Sequence, residues 1–258
     1  MARCEFCNVQ NSQTERGCIV KSWEVFLREQ GASSVRWHDA YLAVLNNPKS
    51  ALLADDNQEF VDHLVGALEK ITTESFGSEL DKDGPDGVRA HLINVDSLAF
   101  LYDDGKILGF ASSQLFAAEG IFYLHGVAIA PDFKGRGAGL ALSKALIENV
   151  GLPWLAFTTQ NPIMFCFAES LCEEVYPRPS MKRTSSEVRS LAVALNVKRR
   201  WEGLDLRTFR IENLYKSCLY GTIPGCADPV VNEWFERSLG ISDGRTRNAF
   251  LFVGKLKK

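Results

Sequence analysis

Between Val127 and Leu140 the chain passes from a β-rich run into a helical pattern through glycines at 135, 137 and 139. Pro131 closes the β-rich run, since proline gives no N–H to a sheet ladder. A strand that turns through glycines into a helix presents backbone N–H groups at the positive end of the helix dipole. Glycine matters at such a turn because a side chain would block the approach of a phosphate. Lys134 and Arg136 add positive charge beside it. The segment therefore predicts a strand-turn-helix unit that receives a phosphate or pyrophosphate. It does not match a nucleotide P-loop, which needs Gly-Lys-Ser/Thr after four intervening residues. Nor does Gly135-x-Gly137-x-Gly139 match the dinucleotide spacing Gly-x-Gly-x-x-Gly.

An antiparallel hairpin precedes this unit. Leu98–Tyr102 and Ile107–Phe110 are β-rich runs joined by Asp103-Asp104-Gly105-Lys106. Asp-Gly between apolar runs signals a tight turn, because the turn needs positive φ. A third strand is expected from Phe122 to Ala130. After the glycines a helix is expected from Leu140 to Val150, stopped by Gly151 and Pro153. Trp154–Thr158 reads as another strand. Asn161-Pro162 then opens a helix to about Glu174, with Asn161 as its cap.

The flanks are less regular. Trp23, Phe26 and Leu27 begin a short amphipathic stretch, and Tyr41, Leu42 and Leu45 suggest a second. The clearest helix runs from Asn57 to Thr72, its apolar residues Phe60, Val61, Leu64, Leu68 and Ile71 spaced three and four apart. Asp56 is its expected cap, with Glu59 three residues on. His63 reads as a boundary histidine. Gly77–Gly87, rich in glycine and acids, reads as a linker or exposed loop. From Arg178 to Lys216 ten Lys or Arg stand against four acids. That run reads as a solvated, partly ordered insertion; a polyanion-docking patch is the sharper alternative. Helical pattern returns over Asp228–Leu239, with Val230, Val231, Trp234 and Phe235 on one face. Strands near Phe209–Tyr215 and Phe250–Leu256 would close the sheet.

Composition excludes several classes. The 258 residues suffice for a sizeable core, and no apolar run is long enough to span a membrane. Met1–Val20 lacks the apolar centre of a secretory signal. Twenty-nine basic against 32 acidic residues give a net charge of −3, which argues against a general nucleic-acid binder. Seven cysteines without an export signal fit free thiols in a reducing compartment, so a cytoplasmic location is expected. Cys4-x-x-Cys7 with Cys18 lacks an obvious fourth ligand, since His38 is distant, and no metal site is expected. No Gly-x-Ser-x-Gly elbow is present.

Lys134-Gly-Arg-Gly137-Ala-Gly139, taken with the preceding Val-Ala-Ile-Ala-Pro-Asp-Phe, resembles the GNAT superfamily of acyl-CoA-dependent N-acyltransferases. That family's pyrophosphate motif is Arg/Gln-x-x-Gly-x-Gly/Ala, so Lys134 is a conservative departure. The hairpin Leu98–Phe110 looks like the family's second and third strands, and the Asn161-Pro162 helix like its fourth helix. The resemblance spans residues 95 to 176. It implies an α/β (α+β) fold: a mixed, mostly antiparallel central sheet flanked by helices, with a helical N-terminal extension. The expected division is a helical region over 1–87, which takes in the first helices of the family fold, and a core over 88–258 with an insertion at about 178–248.

The resemblance also implies acetyl-CoA as co-substrate, an amine acceptor of small-molecule or peptide type, and direct attack in a ternary complex. Backbone N–H groups of Val127, Ala128 and Ile129 would polarise the acyl carbonyl. Lys134, Gly135, Arg136, Gly137, Ala138 and Gly139 would hold the pyrophosphate, and Asn161 and Phe165 would lie near the cofactor. By the two-residue period of a strand, Tyr123, His125, Val127 and Ile129 share one face. His125, with an ordinary pKa of about 6.5, is the candidate general base, and its place resembles a strand histidine of the arylalkylamine acetyltransferases. Tyr123 is its neighbour on that face. The tyrosine that protonates the leaving thiolate in many members has no counterpart here, since Phe165 and Phe167 stand near its place. Tyr176, Cys166 or water remain as candidate acids. Two further readings follow: a catalytically silent CoA-binding or protein-interaction module, and an acyltransferase for RNA-linked or protein amines with the 178–216 run as docking patch.

Overall fold

A computed structural model of the protein describes residues 23–54, 57–77, 87–103, 106–148, 150–180 and 183–258. Cys4, Cys7, Cys18, Asp56, Asp104-Gly105 and most of the Gly77–Gly87 segment lie outside the described residues.

Among the described residues ten strands form one sheet in the order β1-β2-β3-β4-β5-β6-β10-β9-β8, with β7 also paired to β10. The first half comprises β1 (Ser33–Trp37), β2 (Ala40–Asn46), β3 (Ser97–Asp103), β4 (Lys106–Phe116) and β5 (Ile121–Ile129). The second comprises β6 (Trp154–Thr159), β7 (Cys172–Tyr176), β8 (Leu204–Asp205), β9 (Arg210–Ile211) and β10 (Ala249–Leu256). All pairings are antiparallel except β5 with β6. The hairpin and the strands and helices around the glycine turn fall where the sequence predicts them.

Helices cover both faces. On one side lie α5 (Ala138–Glu148), α6 (Ile163–Leu171) and α8 (Pro229–Leu239). They share a continuous core with the sheet that includes Leu142, Phe165, Phe235, Phe250 and Phe252. On the other side the core is split. Helices α1 (Trp23–Glu29), α2 (Pro48–Leu52), α3 (Gln58–Phe76) and α4 (Val88–Ile93) cover β2–β4 around Leu64, Leu68, Phe100 and Phe110. Helix α7 (Ser186–Arg199) covers β5, β6 and β10 through Val188, Ala192 and Leu195. Between these two clusters the sheet face is open.

Several local expectations are corrected. Tyr41–Leu45 is not helical: Ala40–Asn46 is strand β2, with only Tyr41 and Asn46 exposed. Its two faces are both covered, so its apolar residues run together instead of alternating. The helix after Asn161 stops at Leu171, and Cys172–Tyr176 is a strand on β10. The basic run is not simply solvated: Ser185 accepts from the Val188 N–H to cap α7, and that helix buries an apolar stripe. On α8 Val231, Phe235 and Leu239 face the core, whereas Val230 points outward. Near Phe209–Tyr215 only Arg210–Ile211 forms a strand.

Candidate active site

Strands β5 and β6 are paired only at their starts, from Ile121↔Trp154 to Tyr123↔Ala156. Beyond Tyr123 they diverge, and a cleft of about 310 Å³ opens between and beside them. Its walls include His125–Ala128 of β5, Phe157–Thr159 of β6 and Gln160 just after it. From Leu124 onward no strand pairs with the β6-facing edge of β5 among the described residues. That edge offers backbone N–H groups to a ligand.

A β-bulge shapes this wall. Ser112 of β4 pairs with Gly126 and Ser113 with Leu124, so His125 is the extra residue. The bulge reverses the alternation. Phe122 and Leu124 face α5 before it, and Val127 and Ile129 face α5 after it. Tyr123 and His125 point to the opposite face, so the expectation that all four share a face fails at the bulge. Gly126 is required beside it, because a Cβ there would lie 2.9 Å from His91 Nδ1.

On the α5 side, the turn Lys134–Gly139 has the predicted form. Gly135 and Gly137 have φ of 77° and 82°, and Cβ atoms there would meet nothing within 4 Å. The turn is an open concavity, not a packed one. Gly139 lies in the first turn of α5, its Cβ position 3.5 Å from Val127 Cγ1. The first N–H groups of α5 have no acceptor inside the helix. Backbone amides, open space and the helix dipole fit a pyrophosphate. Lys134 is used otherwise: its Nζ donates to the Ser75 carbonyl at 2.7 Å and ties the turn to the end of α3. Arg136 lies 4.9 Å from the Phe133 ring centroid.

On the opposite side, distant segments converge on His125. Its ring stacks on that of His91 from α4, centroids 4.1 Å apart. Arg199, at the end of α7, brings Nη2 to 3.3 Å from His125 Nε2 and donates through Nη1 to Gln114 Oε1 at 2.9 Å. A guanidinium can only donate, so Nε2 of His125 accepts and the ring proton sits on Nδ1. Among the described residues that Nδ1 is buried without a hydrogen-bond partner. Burial, then the charges of His91 and Arg199, hold the His125 pKa well below its usual value. Tyr123 is buried, with Arg199 over its ring and its hydroxyl 3.3 Å from Thr158 Oγ1. Thr158 Oγ1 is likewise 3.3 Å from the Tyr215 hydroxyl.

The α6 end of the cleft holds a residue that the sequence reading missed. Tyr220 lines it, and the Asn161 side-chain amide donates to the Tyr220 hydroxyl at 3.4 Å. Burial pushes the Tyr220 pKa up to about 12. The Asn161 Oδ1 accepts from the Ile163 N–H and caps the start of α6. Other expected residues are not brought to the cleft. Phe165 packs in the core against Trp234 and Phe252, and Met164 lines the cleft in its stead. Tyr176 lies on β7, its hydroxyl donating to Glu174 Oε2 at 2.8 Å. Residue Cys166 is largely exposed, but partial desolvation of its thiol and then the neighbouring Cys226 push its pKa up to about 11. Among the described residues no group of three or more His, Cys, Asp or Glu could hold a metal ion.

Residues 66–151 match the acetyltransferase (GNAT) family. The match runs from inside α3 through the hairpin, β5, the glycine turn and α5. It covers a third of the chain, and over that third the sequence is similar to the family. The sheet that continues on both sides of it has the mixed, mostly antiparallel form expected for a GNAT-like fold. No curated protein matches the sequence. Among solved structures, similarity is found to N-acetylglutamate synthase from Neisseria gonorrhoeae complexed with coenzyme A and N-acetyl-glutamate, at 18% identity and a TM-score of 0.42. That alignment covers 85% of this chain and 36% of the synthase, so the chain spans little more than a third of that relative. The ribosomal-protein-S18-alanine N-acetyltransferase of Escherichia coli is similar at 15% identity and a TM-score of 0.38, over 84% of this chain and 95% of that one. The Tetrahymena GCN5 histone acetyltransferase domain in complex with coenzyme A is similar at 11% identity and a TM-score of 0.39, over 58% and 90%. Among the described residues no helix is long and apolar enough to cross a membrane.

Proposed function

We propose that the protein is an N-acetyltransferase that moves an acetyl group from acetyl-CoA to an amine by direct attack in a ternary complex. The observation that carries this reading is the divergence of β5 from β6 beside the open glycine turn at the start of α5. Amides of Gly135–Gly139 hold the pyrophosphate, with Arg136 beside them. The N–H groups of Val127 and Ile129, which face β6, bind the pantetheine arm and polarise the acyl carbonyl, whereas that of Ala128 points to β4. Acetyl-CoA supplies the activated acyl group as a thioester.

In the transfer a C–N bond forms as the C–S bond breaks. The amine loses a proton and the thiolate gains one. His125 is neutral at ordinary pH, and its Nε2 lone pair is the acceptor for the amine proton once Arg199 Nη2 moves off it. Tyr220 keeps its proton throughout the working range and takes the part of the missing helix tyrosine, donating to the thiolate beside Asn161. Holding both reactants in one cleft supplies much of the rate.

Thiol release from acetyl-CoA with a panel of amines tests the reading. Amine-dependent release is expected, reduced by Tyr220→Phe. The rival reading, a catalytically silent CoA-binding or protein-interaction module, rests on the missing helix tyrosine. It predicts acetyl-CoA binding with no amine-dependent release.

A further inference from the structure

Among the described residues the cleft is lined by a cation, Arg199, and by no carboxylate. Arg199 reaches its interior from α7, and its neighbours Gln114, His125 and the Tyr123 ring carry no negative charge. Among the described residues its Nε is buried with no hydrogen-bond partner. The neighbouring Lys198 has a carboxylate, Glu119 at 3.1 Å, but none of the ion pairs among the described residues includes Arg199. No Asp or Glu lines the cleft among the described residues. A buried donor without an acceptor is costly, and a guanidinium matches a carboxylate with two parallel hydrogen bonds.

We propose that the acceptor is a small amine that bears a carboxylate, of the amino-acid type, and that Arg199 seats that carboxylate. This rests on the transferase reading above. The rest of the wall describes the body of the molecule. Phe76, Phe110, Trp201 and Tyr215 line the same cleft and suit an apolar or aromatic side chain. A diamine or polyamine would bring a second positive charge toward Arg199 with nothing to offset it. The arrangement also links binding to chemistry. A carboxylate that draws Arg199 Nη2 away frees His125 Nε2 for the amine proton.

The test is calorimetric, with the full chain saturated with coenzyme A. The probes are N-acetylphenylalanine, N-acetylleucine and N-acetylglutamate, each against its C-terminal primary amide. At least one acid is expected to bind about tenfold or more tighter than its amide, the gain of a charge-assisted pair. Arg199→Gln is expected to erase that gap and Arg199→Lys to keep part of it, with melting curves confirming that both variants fold. The wild-type comparison needs no variant. Amides that bind as well as the acids, or no binding by any probe, overturn the proposal. A separate titration with acetyl-CoA tells the two readings apart. If acetyl-CoA binds and the acids have no advantage, only the carboxylate assignment falls. If the folded chain does not bind acetyl-CoA, the transferase reading falls and takes this one with it.

Discussion

The two faces of the sheet solve different problems. The α5–α6–α8 face is one continuous apolar core, in which Phe157, Phe165, Trp234, Phe235, Phe250 and Phe252 pack ring on ring. The other face is divided into an α1–α4 cluster and an α7 cluster, and the polar groups of the cleft stand where they part. A continuous core gives rigidity to β5 and β6 without filling the space between them. The split face leaves room for a substrate and lets elements from far apart in the chain each contribute a side chain. Stability and chemistry are therefore separable by face.

That separation can be broken by substitution. Phe252→Ala, on the continuous face, is expected to cost about 3–5 kcal/mol of stability, the usual toll for a buried phenylalanine. Chemical denaturation measures it; a loss below 1 kcal/mol by that measure would mean that this face is not the mechanical base of the site. On the split face, Tyr220→Phe is expected to lower kcat about 10²-fold, as removal of a general acid does, with acetyl-CoA affinity unchanged. Equal rates for the variant and the wild type would remove Tyr220 from the reaction.

A smaller effect should appear in the pH dependence of stability. In the unfolded chain His125 takes a proton near pH 6.5, as ordinary histidine does. In the folded chain it does so only well below that. The unfolded state then binds more protons, so this share of stability is present above about pH 6.5 and is lost as pH falls below it. The wild-type melting temperature should therefore drop more steeply between about pH 7 and about pH 5.5 than that of His125→Gln. Parallel curves would mean that the imidazole is not held neutral by its surroundings.

The same division decides what the sequence can tell. The glycine turn, the hairpin before it and the strand after it are local, and each is written in a few consecutive residues with a clear physical reason. The cofactor side of the cleft follows from them. The acceptor side does not, because His91, Arg199, Tyr215 and Tyr220 meet only through the topology of the sheet. Arg199 looked like one charge among ten in a basic run. Its role depends on α7 packing over β5, which no local pattern announces. Tyr220 sits in a stretch without regular structure, where nothing marks a tyrosine as part of a site. The bulge did leave a trace: Gly126 inside a strand pattern is the usual mark of one, and it explains why His125 and Val127 part faces. The pattern of β2 does not read as a strand because a strand covered on both sides loses its alternation.

The central claim is that the β5–α5 turn and the diverging strands hold acetyl-CoA. Calorimetric titration of the purified chain with acetyl-CoA, beside Gly137→Glu, tests it most directly. Gly137 has φ of 82° in an open turn, so the variant brings both a strained backbone and a negative charge to the place of the pyrophosphate. Saturable binding by the wild type that is lost in a variant still able to fold is the predicted result. No binding by the folded wild type, or equal binding by both, contradicts the account.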